Sequence, residues 1–339
     1  MKFGAVPIAD ALGAVLAHSL ALTSGKLRKG RVLSGEDLVT LTQADLDHVV
    51  VARLEPGDID ENRAATDLAR ALVPDPDAAG LTVETAFTGR VNIRATGPGI
   101  VRLDTAAIVA LNVVDPMITL ATVPDLQRCW TGMMVGTVKI ISYAVRGSDL
   151  QSACAIARGA IRCDPVIRKT ASLIVTQVPG QPASAEDKGV RSVAGRLEAL
   201  GITLSEVVIV AHETRSIANA LSSTRGEIAL ILTASATSDP MDVGPAGLIA
   251  AGGRLTRFGM PVDPGNLLFL GDLGTRPIIG LPGCARSPAL NGADWVLERV
   301  ACGLKLTGYD IAAMGVGGLL KEIPTRPQPR DGRKAAKTI

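Results

Sequence analysis

Aromatic side chains are scarce, with 4 Phe, 2 Trp and 2 Tyr making up 2% of the chain, too few to build the stacking platforms that hold single-stranded nucleic acid. Histidine is rarer still. His18, His48 and His212 are the only three, and no two stand at the helical spacing of paired metal ligands. The 5 cysteines, Cys129, Cys154, Cys163, Cys284 and Cys302, are scattered and never form CxxC, a pattern that disfavours a disulfide framework or zinc cluster and fits reduced thiols. No window approaches the roughly 20 apolar residues that span a bilayer. Asp10 interrupts the opening MKFGAVPIADALGAVLAHSL where a signal peptide would be uniformly apolar, so a cytoplasmic location and no membrane contact are expected. A surplus of one charge is also lacking. Lys and Arg total 35 against 33 Asp and Glu, a formal charge of +2, which argues against a nucleic-acid partner and requires any anion site to be local.

What is present is aliphatic: 47% of the residues are hydrophobic, and 339 residues exceed what one core usually organises. Residues 1–75 form a first segment with an apolar helical pattern over Ala11–Leu20, a basic turn SGKLRKG, a helix then strand from Ser34 to Ala52, and an acid-capped helix over 58–72. The cluster Lys26, Arg28, Lys29 and Arg31 reads as a solvated loop or as a phosphate contact. Residues 76–168 read as a β-rich middle domain, in which Asp104 is placed to cap a helix carrying Asn112 and DLQSACAIARGAI forms a bridging helix. Lys139 is expected to face outward, and Trp130 and Trp295 to pack.

From Ala171 the rhythm becomes strictly alternating. The strands SLIVT, VVIV, IALILT and PIIGL are interleaved with the helices VRSVAGRLEAL, TRSIANALSS and GPAGLIAAG, and PALNGADWVLERVACGL follows. Such repetition predicts a parallel sheet covered by helices over 169–308, with 309–339 a basic, Pro-rich tail or linker. Two strand exits carry the chemistry. Loops leaving neighbouring parallel strands at their carboxyl ends face one crevice, where phosphate-bearing ligands sit. In TASATSDPMD, Thr233, Ser235, Thr237 and Ser238 line the exit with hydroxyls, while Asp239 and Asp242 are placed to hold magnesium or position a water, or else to form an Asx turn and a helix cap. In GLPGCARSP, Gly280 and Gly283 allow close backbone approach, Arg286 offers a bidentate fork, and Ser287 with Pro288 reads as an N-cap and first helical residue. The bland alternative is a capped turn with a solvent-facing arginine. Between them, GMPVDPGNLLFLG reads as a rigid connection or turn before a strand, and His212 as a turn histidine more readily than a ligand.

In order and spacing, these motifs over about 170–303 resemble the molybdopterin-binding domain of the MoeA, gephyrin and MogA type. The family's TGGxSxGxxD loop matches TASATSDPMD, with Thr233 at the threonine, Thr237 at the serine and Asp242 at the final aspartate. Its PGKP-type segment matches Pro264, Gly265 and Asn266, and its LPGNP loop matches Leu281, Pro282, Gly283, Cys284 and Ala285. GAVLAHSL, GRVL and IDENRAA extend a looser similarity to MoeA-like first domains, as found in bacterial proteins where such a region precedes a MobA-like nucleotidyltransferase. The resemblance implies an α/β MogA/MoeA-like domain preceded by a mixed α+β region, acting in molybdenum cofactor biosynthesis. It implies molybdopterin or its nucleotide form as ligand, with a MobA-like nucleotidyltransferase, fused or separate, and a target molybdoenzyme as partners in a homo-oligomer.

Several family positions differ. The diglycine is Ala234 and Ser235, the lysine after Pro264 and Gly265 is Asn266, the LPGNP asparagine is Cys284, and SAMDGYA is absent. With these changes the resemblance implies recognition of the pterin phosphate by Thr233, Ser235, Thr237, Ser238, Pro264, Gly265, Asn266, Pro282, Gly283, Cys284, Arg286 and Ser287, with Arg286 and Lys26 as replacement cations. The alternative is an enzyme of the molybdotransferase or nucleotide pyrophosphatase kind, in which Asp239 and Asp242 are catalytic and Asp242 holds the metal.

Overall fold

The computed structural model describes residues 1–23, 25–180 and 183–320. The chain divides into two compact units, Met1–Pro165 and Val166–Ile339, and the basic stretch 321–339, expected as tail, lies outside the described residues.

Two apolar clusters organise the first unit. The smaller gathers Ile8, Leu16, Leu33, Leu41 and Val51 around an antiparallel sheet of Lys2–Pro7, His48–Arg53 and Val15–Leu16. The helix expected over Ala11–Leu20 does not form. Ile8–Asp10 is a single 3-10 turn, Gly13 takes a φ of 74°, and Val15–Leu16 pairs as strand. Partners on the neighbouring strand outweigh the apolar periodicity, because a short apolar run satisfies either period. The short helix expected after Ser34 forms over Gly35–Gln43, and Ser34 is its cap. Asp37 completes that capping box and receives Arg31 Nε at 2.9 Å. Burial opposes ionisation of Asp37, but Arg31 and Ser34 hold its carboxyl below the usual carboxylate range. One of the four clustered basic residues is thus paired within the fold.

The larger cluster forms where the helix Glu61–Leu72 lays Ala64, Leu68 and Leu72 against buried strand residues such as Val91, Ile93 and Val138. Its cap is Asp60, accepting from Asn62 and Arg63 N–H at 3.1 Å each. Asp104 caps Thr105–Val114, and the Asn112 carboxamide is spent on both backbone groups of Leu120, at 2.8 and 3.0 Å. Lys139 reaches the carbonyl of Thr88. Trp130, expected to pack, is 54% exposed. Cys129 and Cys163, 34 residues apart in sequence, stand with their Sγ atoms 2.8 Å apart, on strands that flank Gly99–Leu103. Contact with Cys129 holds the Cys163 thiol below its ordinary value.

The second unit is built on β1 (Thr170–Gln177), α1 (Ala183–Glu198), β2 (Thr203–Ala211), α2 (Thr214–Ser223), β3 (Ile228–Leu232) and α3 (Val243–Ala250), followed by β4 (Arg254–Phe258), β5 (Phe269–Leu273), β6 (Arg276–Leu281), α4 (Gly292–Ala301) and α5 (Gly308–Ala313). The strands lie in the order β2-β1-β3-β6-β5-β4. The first four are parallel, and β5 and β4 are antiparallel additions at one edge. Every residue of β3 is buried, as a parallel strand covered on both faces requires. The added pair has a weaker signature, since β4 reads RLTRF and none of its residues is fully buried. Nor does the chain become a tail directly after Gly308, because α5 forms there and Leu319 bridges to Asp263.

Gly280 shows why one glycine in the strand leading to LPGCARSP is small. It lies opposite Phe269 in the β5–β6 register, and a Cβ there would stand 1.9 Å from the buried Phe269 ring. The space expected for a ligand is filled by an aromatic. At the opposite sheet edge Ser172 Oγ donates to Glu206 at 2.6 Å and accepts from Gly226 N–H at 2.7 Å and Arg276 Nη2 at 3.1 Å.

Two outcomes are expected. Gly280→Ala should destabilise the protein by about 3 kcal/mol, as overpacking of a tight core does, read as a lower denaturant midpoint with an unchanged slope. The Ser172 hydroxyl and then the Arg225 N–H hold the Glu206 carboxyl below its ordinary 4.5. A carboxyl depressed in the folded state contributes stability above its unfolded value and loses that contribution as pH falls through the folded one. Stability measured from pH 7 downward should therefore fall less steeply below about pH 4.5 in Glu206→Gln than in the wild type.

Candidate functional site

Because β1, β3 and β6 are adjacent and parallel, their carboxyl ends open side by side, and the hydroxyl-rich 233–242 loop stands next to the 282–291 loop. Arg286 ties them together. It ends a 3-10 turn, Gly283–Arg286, and its Nη2 donates to Thr233 O at 2.9 Å. A Cβ on Gly189 of α1 would lie 3.0 Å from its Nη1, so the absent side chain leaves room for the guanidinium. Arg286 acts here as a strap between strand exits, at a position where sequence reasoning placed an open phosphate fork.

The hydroxyls of the first loop hold the loop to itself and to its neighbours. Thr233 and Thr237 are buried, with Thr233 Oγ1 2.8 Å from Ser235 O and 3.2 Å from Thr237 Oγ1. Thr176, at the end of β1, accepts from Ala234 N–H at 2.8 Å and contacts His212 Nδ1 at 2.9 Å. His212 Nε2 meets Ser235 Oγ at 2.9 Å. Ser235 and Ser238 are exposed. The sequence singled out Ser235 but missed its link to His212 and Thr176, which lie 23 and 59 residues upstream. The one available signal was that both follow apolar strand runs.

Asp242 caps α3, its Oδ1 accepting from Val243 N–H at 2.7 Å and its Oδ2 from Ser238 N–H at 3.1 Å. Asp239 closes a local turn, with Oδ1 accepting from Met241 N–H at 2.7 Å. Both carboxylates are thus engaged in the local geometry that was the alternative to a metal role. Among the described residues no group of three or more His, Cys, Asp or Glu side chains is arranged to hold a metal ion.

The helix after LPGCARSP does not begin at Ser287 and Pro288. Its N-cap is the buried Asn291, whose side chain accepts from Ala293 N–H at 2.9 Å and forms a capping box with Asp294. Ser287 instead ends the 3-10 turn, its hydroxyl accepting from Ala289 N–H at 3.3 Å. A capping box satisfies two orphan helix donors at once and outcompetes a Ser-Pro start. Pro264 O accepts from Gly292 N–H at 2.8 Å, and a Cβ on Gly265 would lie 2.7 Å from that nitrogen. The Pro264–Gly265 segment therefore seats against the first turn of α4, while Asn266 is exposed and accepts through its carbonyl from Met260 N–H at 3.0 Å. Pro282 is buried and Gly283 exposed; burial pushes the half-buried Cys284 thiol up.

Arg196 of α1 escaped the sequence reading and organises this whole loop. It pairs with Asp294 at 2.6 Å, the two side chains being 8% and 13% exposed. It also donates to the carbonyls of Ser192, Ala285, Ser287 and Ala289 at 3.2, 2.9, 2.7 and 3.0 Å. Its position one residue before Leu197 on an apolar helix face, with Val193 three residues earlier, was the only clue.

A family model described as a domain of unknown function (DUF8806) matches residues 5–53. No curated protein matches the chain. Among solved structures, CinA of unknown function from Thermoplasma acidophilum is 12% identical, over 40% of this chain and 98% of that one, at a TM-score of 0.30. The molybdopterin biosynthesis MoeA protein from Pyrococcus horikosii is 13% identical, over 89% and 76%, at 0.29. A MogA structure is 21% identical, over 39% and 92%, at 0.27. Likenesses this distant assign no family. Among the described residues no helix is long and apolar enough to cross a membrane.

Replacing Arg196 with Ala should cost about 3–5 kcal/mol, the penalty for leaving a buried partner charge and its carbonyls unmatched. Asp242→Ala, which removes the α3 cap and the acceptor for Ser238 N–H, should cost less, about 1–2 kcal/mol. Chemical denaturation of both variants compares the two directly.

Proposed function

We propose that the second unit binds molybdopterin or its nucleotide form through the pterin phosphate, at the carboxyl edge of β1, β3 and β6, in molybdenum cofactor biosynthesis. The observation that carries this reading is the strap from Arg286 to Thr233 O, which joins the two loops whose motifs match the family's in order. It supports a single crevice bordered by the exposed hydroxyls of Ser235 and Ser238. Recognition, followed by hand-over to a nucleotidyltransferase or a molybdoenzyme, suits a site whose carboxylates Asp239 and Asp242 are occupied in a turn and a cap. Magnesium arriving with the ligand would meet the same two carboxylates.

Equilibrium binding of molybdopterin, with and without magnesium and cytidine or adenine nucleotides, tests the proposal. The wild type should bind. Ser238→Asp, an exposed substitution that sets a negative charge beside the phosphate, should weaken binding at least about tenfold, with its denaturation midpoint measured alongside to confirm that the variant is folded. Unchanged affinity in that variant, or no binding to the wild type under any of these conditions, would overturn the reading.

A further inference from the structure

Thr176, His212 and Ser235 stand at the carboxyl ends of three different strands yet make one chain of contacts, hydroxyl to imidazole to hydroxyl, with both distances 2.9 Å. The direction of its protons follows from the buried end. Thr176 is 0% exposed, and its Oγ1 already accepts from Ala234 N–H at 2.8 Å. A hydroxyl carries one proton, and among the described residues the acceptor that Thr176 meets is His212 Nδ1. If Nδ1 carried the proton instead, the Thr176 O–H would be buried without a partner, an arrangement folded proteins avoid. With Nδ1 accepting from Thr176, the ring N–H of His212 lies on Nε2 and donates to Ser235 Oγ. The Ser235 hydroxyl, exposed at the end of the chain, is left with its own proton to give.

We infer that this chain fixes Ser235 as a hydrogen-bond donor to a phosphate oxygen of the ligand. The inference rests on the phosphate-ligand reading above and adds what that reading does not contain: a specificity-determining contact at a position where the resembling family has glycine. A donor held this way prefers an acceptor-only group, an ionised phosphate, over an amine or hydroxyl. The same proton order denies Ser235 a base, because His212 turns an N–H toward it and not a lone pair. Ser235 is then a binding residue, with His212 and Thr176 positioning it.

Two measurements on the full chain test this. Imidazole nitrogen spectra of the three histidines, with His212 assigned through His212→Gln, should show the Nε2–H tautomer without any ligand. Calorimetric titration with inorganic phosphate should show binding to the wild type, weakened about 10- to 100-fold in Ser235→Ala, the range for a hydrogen bond to a charged group. Ser235→Thr, which keeps the hydroxyl, should retain it. An Nδ1–H tautomer, or covalent labelling of Ser235 by a fluorophosphonate, would overturn the inference in favour of a base-activated nucleophile. Equal phosphate affinity in wild type and Ser235→Ala, or none in the wild type, would also overturn it; the cofactor reading would fall with it only if molybdopterin failed to bind as well.

Discussion

Arg196 is the interaction on which the carboxyl edge of the second unit depends. One buried guanidinium pairs with Asp294, the carboxylate that also completes the α4 capping box, and gathers carbonyls from Ala285, Ser287 and Ala289. A loop that leaves a buried strand carries backbone carbonyls that must find donors. Arginine, with five N–H groups in a rigid fork, supplies several from one side chain. The loop shape that brings Arg286 to Thr233 follows from that anchor, since Arg286 stands between the clamped carbonyls of Ala285 and Ser287.

The same economy runs through the rest of the edge. Thr233, Thr237, Asp239 and Asp242 each close a local turn or cap, and Thr176 and His212 bind the exits of β1 and β2 to the loop after β3. Polar groups that look like a reactive cluster in the linear text are largely occupied in holding backbone. The exposed Ser235 and Ser238 hydroxyls are what the edge presents outward. A hydroxyl held in place, as Ser235 is by His212, needs no reordering when a ligand arrives.

The first unit is governed by pairing across strands. Gly99 shows the tightness of its packing: a Cβ there would lie 2.3 Å from Asp164 O and 3.0 Å from Cys163 Sγ. The contact of Cys129 with Cys163 across this three-stranded sheet could not be read from their separation in sequence, since strand pairing, not chain distance, sets which side chains meet.

Much of the architecture was legible. The alternation after Ala171 predicted the parallel strands, because a buried parallel strand must be apolar throughout, and the acidic start of the 58–72 stretch and Asp104 marked helix starts because a cap acts on N–H groups two or three residues away. Short or polar elements were not: Ala11–Leu20 lacked length to distinguish helix from strand, β4 sets only Leu255 and Phe258 among polar residues, and Ser287 competed for a cap against Asn291 without any local sign of which would win. Residue chemistry and local periodicity were thus determined by the sequence itself, including which loops carry the hydroxyls and Arg286. The tertiary structure alone decided what those groups touch, that Phe269 fills the space at Gly280, that Arg196 clamps the last loop, and that His212 lies between Thr176 and Ser235. Contacts between residues dozens of positions apart depend on sheet order and register, and no local pattern encodes those.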